Sequence, residues 1–153
     1  MNRSVSSSLV IAASPRVLYD MISDVTRMGE WSPVCTAGWW DEGQGPSAGS
    51  WFTGRNETPE RTWETRSLVE AAVPGEIFSF VVGGDRTRWT YRFVEVPGGT
   101  EVTEEWEFLP AGQASFEDRF GEDAENQIAL REEAARVGIP ETLAALRRSV
   151  ENS

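Results

Sequence analysis

Three turn signals between residues 62 and 109, Pro74-Gly75, Gly84-Asp85 and Gly98-Gly99, divide the chain into four segments near 62–72, 76–82, 87–96 and 100–109. Each segment reads as a strand bounded by these turns. Two-residue loops fix the register of the strands they join. The first loop sets Ala71 against Phe78 and Val69 against Phe80. The second sets Phe78 against Tyr91 and Phe80 against Trp89. The third sets Tyr91 against Trp106, Trp89 against Phe108 and Phe93 against Glu104. All three hairpins place the rings on one face, as two rows: Ala71–Phe78–Tyr91–Trp106 and Val69–Phe80–Trp89–Phe108. The other face pairs Arg92 with Glu105 and Thr90 with Glu107 and is predicted to be solvated.

The flanking segments complete the pattern. Residues 3–12 read as a first strand. Ser14 then serves as a helix N-cap with Pro15 at the first helical position. Val17, Leu18, Met21, Ile22 and Val25 form one apolar stripe, and Gly29 is predicted to close that helical region. Residues 34–41 and 50–57 read as two further strands. Beyond Leu109, Phe116, Phe120, Ala124 and Ile128, and then Ala135, Ile139, Leu143, Leu146 and Val150, mark a long helix. Gly138-Ile139-Pro140 is predicted to kink or interrupt it. A long antiparallel sheet followed by one long apolar helix stripe defines a single α+β domain, with the helix lying across the aromatic face.

Seven Trp, seven Phe and two Tyr in 153 residues are many for one core. Each buries about 150–250 Å², so the rings either fill the interior or line a cavity. Fourteen basic against 25 acidic residues give a net charge of −11, which disfavours nucleic acid and anionic membrane surfaces as partners. No apolar run reaches the length of a membrane span. The single Cys35 excludes an intramolecular disulfide and suits a reducing cytoplasm. Histidine and lysine are both absent. Their absence removes the commonest general base, Ser-His and Cys-His nucleophile pairs and Cys/His zinc sites. No metal site and no cofactor is expected, and chemistry would rest on carboxylates, Tyr or water.

The segments 13–33 (ASPRVLYDMISDVTRMGEWSP), 49–56 (GSWFTGRN), 61–80 (RTWETRSLVEAAVPGEIFSF), 87–93 (TRWTYRF) and 98–108 (GGTEVTEEWEF), with the terminal GIPETLAALRRSVE, resemble the polyketide cyclase/dehydrase-like branch of the SRPBCC superfamily. The resemblance implies the START-like, birch-allergen-type helix-grip fold over residues 1–153. That fold is a seven-stranded curved antiparallel sheet wrapped around a long C-terminal helix, with two short helices between strands 1 and 2. It also implies a deep apolar cavity between sheet and helix, and an apolar small-molecule ligand, lipid- or polyketide-like. One fold hosting many activities does not name a reaction. Carriage of such a ligand, cofactor-independent cyclase, dehydratase or hydrolase chemistry, and a filled core serving protein interaction all remain open, as does the oligomeric state.

The inner face supplies the candidates. Phe52, Trp63, Val69, Phe78, Phe80, Trp89, Tyr91, Trp106 and Phe108 are the expected ligand-binding residues. Glu104 is a carboxylate on the aromatic face, either a buried acid/base with a raised pKa or a solvated rim residue. Asn56 alternates with Phe52 and Gly54 and either meets a ligand or caps the strand end. These two are the catalytic candidates. Trp31, between Gly29 and Ser32-Pro33, is expected to be buried packing at one end of the interior.

Overall fold

A computed structural model of the chain describes residues 3–43 and 45–151. Its seven strands are β1 (Arg3–Ile11), β2 (Cys35–Trp40), β3 (Trp51–Thr58), β4 (Arg61–Val73), β5 (Ile77–Val82), β6 (Thr87–Val96) and β7 (Gly99–Phe108). They form one antiparallel sheet in the order β1-β7-β6-β5-β4-β3-β2. Strands β2 to β7 meander, and β1 returns to pair with β7, so the first two strands occupy opposite edges. The chain crosses between those edges through α1 (Pro15–Ser23) and a 3-10 helix at Val25–Glu30. After β7 come α2 (Pro110–Phe120), a 3-10 turn at Gly121–Asp123 and α3 (Ala124–Glu151). This is the expected helix-grip architecture.

Local chemistry sets the helix boundaries. The Ser14 side chain accepts from the Val17 amide at 3.2 Å, with Pro15 at the first helical position, satisfying one of the orphan donors of a helix start. Asp24 caps the 3-10 helix in the same way through Thr26. That helix runs past Gly29 to Glu30, with Trp31 at its C-cap. Gly29 is required there by proximity rather than as a terminator: a Cβ would stand 2.6 Å from the Thr36 carbonyl oxygen. The long helix is broken at Gly121 (φ 56°) and not at Pro140, which lies inside α3. Proline forfeits one backbone hydrogen bond. Ile139 and Leu143 beside it are each 1% exposed, and their packing holds the helix through the defect.

The hairpin registers are partly as expected. Phe78 faces Tyr91 and Phe80 faces Trp89, although the connection is the four-residue segment 83–86, centred on the expected pair. Val69 faces Phe80, but a bulge between Val69 and Ala71 sets Ala72, not Ala71, opposite Phe78. The β6–β7 pairing is displaced by two residues. Trp89 faces Trp106, Tyr91 faces Glu104, and Phe93 faces Val102. On the outer face Thr90 meets Glu105, Arg92 meets Thr103, and Arg88 meets Glu107. The turn residues are Pro97 and Gly98, flanked by the Val96–Gly99 pair. Proline suits the first central position of such a turn and Gly98 takes the second with φ 91°. A two-residue displacement preserves face parity, so the rings stay inside.

The concave face is therefore a grid. One row runs Val5–Trp106–Trp89–Phe80–Val69, and the next runs Ser7–Glu104–Tyr91–Phe78–Ala72. A third runs Phe108–Thr87–Val82–Ser67–Phe52–Trp40. Helix α3 packs on β1 and β7, with Arg3 of β1 ion-paired to Glu125 and Glu132. Leu143 and Leu146 are buried. At the far end of the interior Tyr19 of α1 meets Phe78 and Phe93 edge-on at 6.5 and 6.1 Å.

Candidate functional site

Glu104 is the singular residue of the interior. Its side chain springs from the middle of β7 into the aromatic face, between Ser7 on one neighbouring strand and Tyr91 on the other. It is 3% exposed, so the rim placement does not hold. The two-residue register displacement is the reason, since it moves Glu104 from Phe93 to Tyr91. Tyr91 donates its hydroxyl to Glu104 Oε2 at 2.9 Å. Glu104 Oε1 is buried with no hydrogen-bond partner.

Burial dominates the electrostatics of this pair. Desolvation pushes the Glu104 carboxyl up to about 8, against the smaller opposing effect of the Tyr91 hydrogen bond. Desolvation, and next the neighbouring carboxylate, push the Tyr91 phenol well above its usual value. Near neutrality Glu104 is accordingly a neutral acid. With Oε2 accepting from Tyr91, Oε1 is left as the oxygen free to carry the proton. A buried carboxylic acid of this kind can donate to a carbonyl or hydroxyl oxygen, or exchange a proton with it.

The rings around the dyad pack on one another. Trp40, Phe52 and Phe80 make successive edge-on contacts at 5.6 and 5.0 Å. Trp106 stacks on Phe108 at 5.8 Å. Phe108 meets Phe116 of α2 at 5.0 Å, and Phe116 meets Phe120 at 5.2 Å. Phe52, Val69, Phe78, Phe80, Tyr91, Trp106 and Phe108 are all buried, while Trp63 and Trp89 are half-buried. Asn56 lies within β3 rather than at its end, and donates to Thr65 Oγ1 at 3.3 Å on β4. It shares neither a strand pairing nor a hydrogen bond with Glu104. Trp31 is 4% exposed within the core, with the Arg27 guanidinium 5.1 Å from its ring centroid. The loop that follows it reaches α3, where Pro33 lies 3.9 Å from the position a Cβ would take at Gly138. Cys35 is buried, and desolvation raises its thiol pKa, the state of an inert thiol.

Two clefts open at the margins of the rows. A cleft of about 390 Å³ runs between β1 and the C-terminal half of α3, lined by Ser7, Leu9, Pro140, Leu143 and Arg148 among others. Ser7 is the cross-strand partner of Glu104, so the cleft ends one strand away from the buried acid. A second cleft of about 320 Å³ lies between α1 and the turn after β2, against Tyr19, Trp40 and Ala72. Among the described residues no cluster of three or more His, Cys, Asp or Glu is arranged to hold a metal ion. None of the described helices is long and apolar enough to cross a membrane.

A curved sheet gripping a C-terminal helix, with a polar pair set in an aromatic interior, defines a helix-grip protein. Residues 2–151 match the profile of the family described as polyketide cyclase/dehydrase and lipid transport. The chain belongs to that family. It is similar to a polyketide cyclase-like protein, Cgl2372, from Corynebacterium glutamicum, known from a solution structure. Identity is 48%, coverage is 99% of this chain and 93% of that one, and the TM-score is 0.76. Two di-domain ARO/CYC proteins share the fold at lower identity. StfQ of the steffimycin biosynthetic pathway is 12% identical over 99% of this chain and 51% of its own, with TM-score 0.77. BexL of the BE-7585A pathway is 16% identical over 96% and 49%, with TM-score 0.74. No functionally curated protein matches the sequence.

Proposed function

We propose that the protein binds a hydrophobic small molecule, lipid- or polyketide-like, between the sheet and α3, with Glu104 as its buried polar contact. The observation that carries this reading is Glu104 Oε1. A buried polar atom without a partner costs about 1–3 kcal/mol, and this one is held within the aromatic face of the sheet. A ligand bearing one hydroxyl or carbonyl on an apolar body would satisfy it. Trp106, Trp89, Phe80 and Val69 form the wall on one side of the acid, and Phe78 lies beyond Tyr91. Phe108, Phe52, Trp63 and Asn56 extend the surface towards the β3–β4 hairpin. The cleft between β1 and α3 opens against Ser7, the cross-strand partner of Glu104, and the family description supports an apolar ligand.

The test is native purification, extraction into organic solvent and mass spectrometry of the extract. A stoichiometric apolar compound is expected from the wild type and a depleted one from Glu104→Gln. An empty extract together with failure to bind any hydrophobic fluorophore would favour the filled-core alternative.

One observation favours a second reading, cofactor-independent proton transfer during ring closure or dehydration. Glu104 pairs a raised pKa with a neighbouring phenol, the requirement for a general acid near neutral pH. On a polyketide-like substrate, Glu104→Gln should then lower kcat far more than it raises KM. Unchanged turnover would remove Glu104 from any mechanism.

A further inference from the structure

The chain carries 14 arginines and 25 acidic residues, so an arginine has ample choice of partner. Eight arginines make ion pairs: Arg3, Arg16, Arg27, Arg55, Arg66, Arg88, Arg136 and Arg147. Among the described residues six do not, and three of those six gather in one place. Arg61 opens β4, Arg119 lies in α2 and Arg131 in α3. Desolvation first, and then the charges of Arg119 and Arg61, hold the Arg131 pKa below the usual arginine value. Geometry joins two of them directly, since the rings under Arg119 and Arg131, Phe120 and Phe116, meet at 5.2 Å, and Arg61 adds its charge to the field at Arg131.

Their setting is as informative as their charge. Each guanidinium lies against an aromatic ring: Arg61 over Trp63 at 4.3 Å, Arg119 over Phe120 at 4.9 Å and Arg131 over Phe116 at 5.5 Å. Phe116 continues through Phe108 to Trp106. The cluster therefore stands where the interior rings reach the surface, at the end closed by α2. Along β7, Glu104 lies four residues from Phe108, about 13 Å at strand rise. Stacking on rings holds a guanidinium's plane fixed while leaving its N–H edge free for an oxyanion.

We infer that Arg61, Arg119 and Arg131 form an oxyanion site that holds the carboxylate, phosphate or sulfonate head of an amphiphile whose apolar body lies along the interior rings. This rests on the interior being a hydrophobic-ligand site, and it adds a charge requirement to that ligand. The head is held by the arginines, and a neutral oxygen further along the body meets Glu104.

Two fluorophores with the same N-phenylnaphthylamine skeleton test the inference: the sulfonate 8-anilinonaphthalene-1-sulfonate and the neutral N-phenyl-1-naphthylamine. The wild type is expected to prefer the sulfonate. Arg119→Gln and Arg131→Gln, both at exposed positions, should each weaken it by about three- to tenfold, a single charge-assisted contact, and leave the neutral probe unchanged. Arg92→Gln, on the outer face, should change neither. At about 1 M salt, where the screening length is about 3 Å, the preference should collapse. Equal affinity for both probes, or equal weakening of both by the variants, overturns the arginine site and leaves the interior reading standing. Binding of neither probe contradicts the interior reading. The arginines are then decided by free pyrophosphate, which should shift the Nε–H resonances of all three; no shift overturns the site.

Discussion

The Glu104 carboxyl converts burial into a measurable pH dependence. Unfolded, it titrates near its ordinary 4.5; folded, it titrates near 8. Below 4.5 both states are protonated and the residue contributes no slope. Between 4.5 and 8 the unfolded state is ionised and the folded state keeps its proton. Stability therefore falls as pH rises through that window, by up to about 1.4 kcal/mol per pH unit, and levels off above 8. Urea unfolding at several pH values should show this fall in the wild type and not in Glu104→Gln, which should be the more stable protein at pH 8. A wild-type curve as flat as the variant's would mean that Glu104 is solvated. Trp31 makes the opposite kind of claim. It is core packing, so Trp31→Ala should cost about 3–5 kcal/mol, while Trp31→Phe should lose less and leave hydrophobic-probe affinity unaltered. Loss of probe binding in a folded Trp31→Phe protein would make it part of the site.

Parity and register behave differently in the strands. Period-two alternation puts Phe78, Phe80, Trp89, Tyr91, Trp106 and Phe108 on one face whichever turn is chosen, because every plausible register differs by two. Register decides who touches whom, and it hinges on Pro97-Gly98 against Gly98-Gly99, adjacent turns that both have acceptable chemistry. The Tyr91–Glu104 pair was hidden behind that choice. The bulge after Val69 is likewise invisible to alternation. The observed turn has its own test. Gly98 has φ 91° and open space around it, so Gly98→Ala should cost about 1–2 kcal/mol of backbone strain. Gly99→Ala should cost more, since its Cβ would stand 2.1 Å from the Ile11 carbonyl oxygen and pry β1 from β7. Urea midpoints give the order; equal losses would contradict the assigned turn. Pro140 illustrates packing overriding propensity. An isolated helix would break there, but Ile139 and Leu143 are anchored in the core on either side.

The molecule as a whole brings together what no local pattern links. The sheet order, the helix across the concave face and the ring content of the interior were legible from turns, alternation and family resemblance. The gathering of Arg61, Arg119 and Arg131 was not, because each looks like a solvated surface arginine in its own segment. Nor was the position of the cleft against Ser7, which depends on how α3 seats against β1. The central claim is that the space between sheet and α3 is a binding site centred on the Glu104–Tyr91 pair. Isotope-filtered NMR with unlabelled N-phenyl-1-naphthylamine and labelled protein tests it most directly. The account predicts intermolecular contacts to Trp106, Trp89 and Tyr91, together with displacement of the Glu104 carboxyl resonance. Contacts confined to the outer face of the sheet, with that resonance unmoved, would contradict it.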